Sequence, residues 1–397
     1  MKFIDFFAGV GGFRRGMELA GHECVGFCEF DKFATASYTS MHLLTQEQRE
    51  FLDKMPLKQR QKEILKEEYR NGEWYANDIR RVYAGDIPKA DCWCFGFPCQ
   101  DISVAGKQLG FQGNRSSLFF RVMYLIGQLE EENRPTYLFI ENVKNLLSVN
   151  GGWDFARLLI EMEQGGYDAE WQVLNSKDFG VPQNRERCFI IGHLRGRGSA
   201  EVFPVERADR EDSIQIIGHR DGYRRNTQVF AQDGITEALS TCQGGGREHH
   251  VALPCFIDLC REGSKMTEQA RCLKARYYKG ASNHAGQDSG ITRRGRVGQE
   301  IANTLDTSCN QGIFVQVSEE LVVYAVWYEK YQCYIAIRKL TPKECFRLQG
   351  WTDDYFEKAE FVNSDSQLYK QAGNGVTVTV IEAMARKLGQ YRKEEQR

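Results

Sequence analysis

The chain has no run of eighteen apolar residues, so nothing in it reads as a membrane-spanning helix. Its first residues, Met1-Lys2-Phe3-Ile4-Asp5, lack the long apolar core of a secretory signal and enter a strand pattern at once, which predicts a cytoplasmic protein. The thirteen cysteines are odd in number and scattered through apolar runs, a pattern of a reducing compartment rather than of a disulfide framework. Cys92, Cys94 and Cys99 lie close together, but no second cluster has zinc-ligand spacing, and no metal site is expected. An excess of charge of one sign is also missing: the formal net charge is −2, with 42% hydrophobic and 27% charged residues, as in an ordinary soluble globular protein. A length of 397 residues allows two domains, or one large domain with an insert. The exception to the even charge is local. From His219 to Arg296 there are thirteen basic and eight acidic side chains and four of the seven histidines. A basic stretch inside an otherwise acidic chain marks a polyanion site, with a solvated face as the plainer reading.

What is present is concentrated at the ends of predicted strands. Lys2–Phe7 is apolar and is followed at once by Gly9-Val10-Gly11-Gly12 and a helix-spaced Phe13–Leu19. Strand, glycine turn and helix open a nucleotide-binding βαβ unit, in which the backbone of Phe7, Gly9, Gly11 and Gly12 approaches a ligand. Cys24–Cys28 is a second strand, and Glu29 at its end stands about twenty residues past the glycines, where an acid accepts ribose hydroxyls. Phe30 is placed to stack on an adenine. Residues 42–81 are rich in Glu, Lys, Gln and Leu and read as an exposed helical insert. Val82–Ile87 is expected to be the third strand, with Asp86 and Ile87 at the adenine. Trp93–Gly96 is expected to be the fourth, and Thr136–Ile140 the fifth, ending at Glu141-Asn142-Val143. Ligands of open α/β sheets gather at such carboxyl ends.

One cysteine has a setting of its own. In Gly96-Phe97-Pro98-Cys99-Gln100-Asp101-Ile102-Ser103 the chain breaks at Pro98, which fixes φ and offers no amide donor, and so Cys99 is predicted to sit on a loop at the sheet's mouth. The plainer reading, a small buried hydrophobe, suits the other cysteines better. Lys107 and Gly113–Ser117 follow in a polar segment, then an apolar helix from Leu118. Farther on, Arg185 and Arg187 stand two apart at the start of a strand and are predicted to point to one face. After Leu194, short alternations followed by glycine-bearing loops predict a small β-rich unit. Arg338–Gly350 reads as a helix with Thr341 as cap and Pro342 at its first position. Gln371–Val376 is expected to open a last helix that lends Asn374 to the cofactor.

The ordered blocks Phe7–Gly12, Glu29-Phe30-Asp31, Gly85-Asp86-Ile87, Gly96–Gln100, Glu141–Val143, Gln183–Arg187, Arg338–Gly350 and Gly373–Val376 resemble the DNA cytosine-5 methyltransferases of bacteria and their phages. The resemblance spans Asp5 to about Leu388, leaving out the 42–81 insert. Pro98-Cys99-Gln100 with Glu141-Asn142-Val143 some forty residues on is its most specific part. Departures are mild: Gly375 stands where Ser is frequent, the proline soon after it is replaced, and Ile102 stands where Phe is common. The resemblance implies an α/β fold: a Rossmann-like, doubly wound S-adenosylmethionine-dependent methyltransferase core (1–195 plus 362–397) and a smaller, β-rich target-recognition domain (196–361). It implies S-adenosylmethionine as cofactor, S-adenosylhomocysteine as product and no metal. Cofactor contacts are expected from Phe7, Gly9, Gly11, Gly12, Glu29, Phe30, Asp86, Ile87, Pro98, Leu118 and Asn374.

The implied chemistry fits the residues. C5 of cytosine is a poor nucleophile until a thiolate adds to C6, a case of covalent catalysis. Cys99 is the expected nucleophile. Glu141, kept protonated by an enclosed pocket, would hydrogen-bond N3, while Arg185 and Arg187 would serve the cytosine O2 and orient Glu141. The base must leave the duplex to be reached. Gln100, Ser103, Lys107 and Arg115 would close over it, with Arg224, Arg225, Arg247, His249 and Arg276 as candidate contacts to double-stranded DNA. A monomer is expected, and the sequence leaves open both the recognition site and a cognate restriction endonuclease. The alternatives are a tRNA cytosine-5 methyltransferase, a nicotinamide dehydrogenase built on the Gly9 loop, and a non-catalytic DNA-binding relic. Methylation of exocyclic amines would need an Asp/Asn-Pro-Pro-aromatic block, which the chain lacks.

Overall fold

The computed structural model describes residues 1–97, 118–197, 202–205, 216–219, 228–230, 236–239, 250–254, 256–259, 295–298, 314–316, 322–328 and 333–395. The chain divides into two compact units, Met1–Glu211 with Glu237–Gly244 and Thr341–Arg397, and Asp212–Thr236 with Gly245–Leu340.

The first unit is built on a seven-stranded sheet: β1 (Lys2–Phe6), β2 (Glu23–Cys28), β3 (Trp74–Ala76), β4 (Cys92–Phe95), β5 (Tyr137–Val143), β6 (Tyr167–Asn175) and β7 (Glu186–Leu194). Their spatial order is β3-β2-β1-β4-β5-β7-β6. The first five run parallel, and β7 is antiparallel to both β5 and β6. The order reverses between β1 and β4, so the strand ends there diverge and leave a crevice. Ile4, Phe6, Trp93, Phe95, Leu138 and Ile140 fill one face of the sheet, and Phe3, Cys92, Cys94, Phe139, Phe189 and Ile191 the other, as expected of strands buried on both sides.

Helices α1 (Gly12–Leu19), α2 (Lys32–His42), α5 (Leu118–Gly127) and α6 (Trp153–Gln164) connect these strands, and α7 (Pro342–Leu348), α8 (Asp353–Glu360), α9 (Asp365–Asn374) and α10 (Val378–Glu395) complete the unit; α3 (Gln46–Asp53) and α4 (Leu57–Glu63) lie between α2 and β3. Thr341 caps α7 in a full capping box with Pro342 at its start, as the sequence predicts.

Three expected boundaries move. The third strand is Trp74–Ala76, paired with Gly26–Cys28, whereas Ala84–Asp86 forms a 3-10 turn. The helical insert therefore ends before β3 rather than at 81. Glu73, just ahead of that strand, forms a buried ion pair with Arg14 of α1 at 2.6 Å. Secondly, Thr341 onward belongs to the first unit, because α7 and α8 bury Cys345, Phe346, Phe356 and Ala359 within it; the expected break at 361 falls too late. Thirdly, Gly373 and Asn374 end α9, and the last helix starts only at Val378.

In the second unit, Phe314–Gln316, Val322–Tyr328, Cys333–Lys339, His250–Pro254, Gln228–Phe230 and Ile216–His219 form a six-stranded sheet in that order, and Phe256–Leu259 pairs with Gly295–Gly298. The described residues of this unit are almost all strand, as expected of a β-rich domain. Among the described residues no helix is long and apolar enough to cross a membrane.

The chain's two ends meet at α1 and α10. A Cβ on Gly16 would stand 2.5 Å from Ile381 Cβ and 2.9 Å from the backbone nitrogen of Glu382, so only glycine permits this approach. Gly16→Ala is expected to destabilise the first unit by about 1–3 kcal/mol through overpacking. Gly85→Ala, which meets open space, should stay within about 0.5 kcal/mol of the parent. Urea unfolding of the two variants checks the difference.

Candidate active site

The crevice at the strand ends is a cavity of about 610 Å³. One side is built by the first glycine turn. Phe7 and Gly9 line it, and both adopt positive φ, 54° and 56°. The tight turn aims the Gly9 amide at Glu29, whose Oε2 accepts it at 2.8 Å, while Oε1 accepts the Asp31 amide at 2.7 Å. Each carboxylate oxygen keeps a lone pair for a ligand hydroxyl. Burial pushes the Glu29 carboxyl above the usual range, and the amides of Asp31 and Gly9 oppose that shift. Beside it Phe30 is 68% exposed, an unusual state for a bare aromatic ring, and it lines the cavity. Gly11 and Gly12 do not line it. Gly11 starts α1 in the left-handed region, and Gly12 lets Val376 pack close.

The acid expected next is displaced. Asp86 lies exposed on the 3-10 turn and Ile87 is buried in the core, both away from the lining. Asp78 and Ile79, directly after β3, line the cavity instead. The sequence contains two Asp-Ile pairs eight residues apart, and a three-residue strand is too short to show which one ends the sheet. Arg80 holds the Asp78 carboxylate through Nε and Nη2 at 2.7–3.1 Å and lowers its pKa. Lys370 of α9 pairs with Asp31 at 2.5 Å at the same wall. Sequence reasoning missed both pairs, since their partners are remote or masked by the misplaced strand. Asn374 and Leu118 line the cavity.

The other side is built by β4, β5 and β7. In the β4–β5 register Phe95 faces Ile140, so Gly96 leaves the end of β4 beside Glu141, which is still within β5 and paired with Phe189 of β7. A Cβ on Gly96 would stand 3.1 Å from Glu141 Oε2, so the carboxyl lies against the backbone that leads to Cys99. Asn142 donates through Nδ2 to the Phe97 carbonyl at 3.3 Å and fixes the exit of that segment. Arg187 Nε lies 3.1 Å from Glu141 Oε1. Arg185 also lines the cavity, but its Nη2 donates to the carbonyls of Gly375 and Gly373 at 2.8 and 3.2 Å. Both arginines line the cavity, and they differ in partner.

Cys99, Pro98, Gln100, Ser103, Lys107, Arg115, Arg224, Arg225, Arg247, His249 and Arg276 lie outside the described residues. The described cysteines narrow the choice of nucleophile. Cys28, Cys92, Cys94, Cys188 and Cys345 are buried, and Cys24 is half-buried. Burial pushes the thiols of Cys24 and Cys188 up to about 12, and those of Cys28 and Cys94 up as well. Such thiols carry little thiolate at neutral pH. Among the described residues no cluster of three or more His, Cys, Asp or Glu could hold a metal.

Residues 1–390 match the family described as C-5 cytosine-specific DNA methylase. The chain is 31% identical to type II methyltransferase M.HhaI of Haemophilus parahaemolyticus, across 98% of this chain and 94% of that one. It is 26% identical to orphan methyltransferase M.SPRI of Bacillus phage SPR, across 98% and 97%. Among solved structures, the S. pombe Dnmt2 methyltransferase superposes with a TM-score of 0.55 at 14% identity over 99% of both chains, a likeness of fold. A seven-stranded methyltransferase sheet, a glycine turn tied to an acid, and a family match along almost the whole length lead to one conclusion: the chain belongs to the C-5 cytosine-specific DNA methylase family.

Proposed function

We propose that the protein methylates C5 of a cytosine flipped out of duplex DNA, through a covalent bond between Cys99 Sγ and C6. The observation that carries this is the pairing of the two walls of one cavity. Glu29, Phe30 and Asp78 form a nucleoside-shaped wall, and Glu141 with Arg187 forms a wall beside the segment that enters Cys99. A ribose hydroxyl pair suits Glu29, an adenine face suits Phe30, and an adenine amino group suits Asp78. S-adenosylmethionine, which these residues fit, supplies an electrophilic methyl group when bound.

The chain's own residues do the rest. The Cys99 thiolate adds to C6 and turns C5 into an enamine carbon. Glu141 donates to N3 as the ring takes up charge. Arg187 holds Glu141 in place and offers its remaining donors to the cytosine O2. C5 takes the methyl group, loses its proton, and Cys99 leaves as thiolate. The segment containing Gln100, Ser103, Lys107 and Arg115 closes over the base, and the β-rich unit, with Arg224, Arg225, Arg247, His249 and Arg276, reads the duplex. DNA is preferred to tRNA as substrate because the family is described as C-5 cytosine-specific DNA methylase. In the same reading the enzyme is a cytoplasmic monomer that needs no metal.

Cys99→Ser is expected to lower methyl incorporation into duplex DNA by about 10³-fold or more, with the Kd for S-adenosylhomocysteine unchanged by calorimetry; near-normal turnover would sink the mechanism. The corrected adenine wall makes a separate forecast. Asp78→Asn should raise that Kd about tenfold, the effect of a lost charged hydrogen bond, and Asp86→Asn should leave it alone. The reverse pattern would restore the acid at 86.

A further inference from the structure

Arg185 and Arg187 are two residues apart, line one cavity, and hold different things. Arg185 is only 3% exposed. Its backbone is pinned: the amide donates to Asn175 Oδ1 and to the Gln183 carbonyl, both at 3.0 Å, and its carbonyl accepts the Ser176 amide at 3.1 Å. The side chain therefore leaves in a fixed direction. Its Nη2 reaches the carbonyls of Gly373 and Gly375, which flank Asn374 where α9 ends. A cation at the carbonyl end of a helix is favourably placed, and a guanidinium can serve two acceptors at once. The junction has further ties. Ser176 Oγ lies 2.8 Å from Thr377 Oγ1, Thr377 donates to Gln349 Oε1 at 2.9 Å, and Gln183 Nε2 donates to the Leu348 carbonyl at 2.8 Å.

We propose that Arg185 is a positioning residue for the cofactor: it holds the Gly373-Asn374-Gly375 turn against the cavity, while Arg187 alone of the pair serves the base through Glu141. The inference rests on the methyltransfer reading above. It divides labour between two side chains that the sequence presents as equivalents.

The division is measurable because the two halves of the reaction separate. Addition of Cys99 Sγ to C6 lets C5 pick up a solvent proton, and reversal then releases either hydrogen. Tritium at C5 of cytosine in duplex DNA is thus washed into water without any cofactor. Affinity for S-adenosylhomocysteine, read by calorimetry, needs no base. Arg185→Met should raise the Kd for S-adenosylhomocysteine by about tenfold or more, a loss on the scale of charged hydrogen bonds. Arg185→Lys, which keeps the charge but not the fork, should fall between it and the parent. In both, tritium release without cofactor should stay within about twofold of the parent, whereas Arg187→Met should lose it and keep the Kd. Thr377→Val, which breaks the Ser176 tie, should raise the Kd in the same direction and carries the test if Arg185→Met does not fold.

Loss of tritium release with an unchanged Kd would overturn the proposal, as would equal loss of both, which marks a merely structural residue. Absence of tritium release from the parent protein would count against the methyltransfer reading instead.

Discussion

The register between β4 and β5 is the constraint on which the site depends. Because Phe95 faces Ile140, Gly96 at the end of β4 stands beside Glu141 of β5, and the missing side chain of Gly96 lets the carboxyl lie against its backbone. A shift of one residue would turn Glu141 to the other face of the sheet. The core that fixes this register is deep: Trp93, Phe95, Leu138 and Ile140 are essentially without exposure. Packing on both faces of a parallel sheet thus becomes accuracy at the strand ends, where, in the proposed reaction, an acid and the chain leading to a thiol meet across one pyrimidine.

The same sheet cannot make the cavity alone. Its far wall comes from the chain's end, where Lys370, Gln371, Gly373 and Asn374 line the space opposite the first glycine turn. That end is held by glycine contacts at Gly12 and Gly16, by the Lys370–Asp31 pair, and by Arg185 on the turn carbonyls. Residues more than three hundred positions apart therefore line one cavity.

Much of this was legible in the sequence, for physical reasons that also explain the failures. The first glycine turn and Glu29 follow apolar strands, and Glu141-Asn142-Val143 forms the last three residues of one that the sequence ends at Ile140. Asp78 was missed because its strand is three residues long and follows a charged helical segment; the stronger apolar run at Val82–Ile87 drew the strand to itself. Gly26, which packs on Trp74, was the available signal, but only pairing reveals it. The start of the last helix was misplaced because glycines next to Asn374 end α9 rather than open α10. The different partners of Arg185 and Arg187 were out of reach, since local periodicity gives a direction and not an acceptor.

In the proposed reaction one sulfur forms a bond to the base, and a fluorine at C5 makes that bond permanent, because fluorine cannot leave as a proton does. Duplex DNA containing 5-fluorocytosine is incubated with the protein and S-adenosylmethionine, and the denatured product is digested with trypsin and nucleases. The peptide spanning Ala90–Lys107 holds Cys92, Cys94 and Cys99, so fragmentation spectra separate them. The account predicts a methylated fluoropyrimidine nucleotide on Cys99 and on neither of its neighbours. An adduct on another cysteine, or none from protein that methylates ordinary DNA, would contradict it.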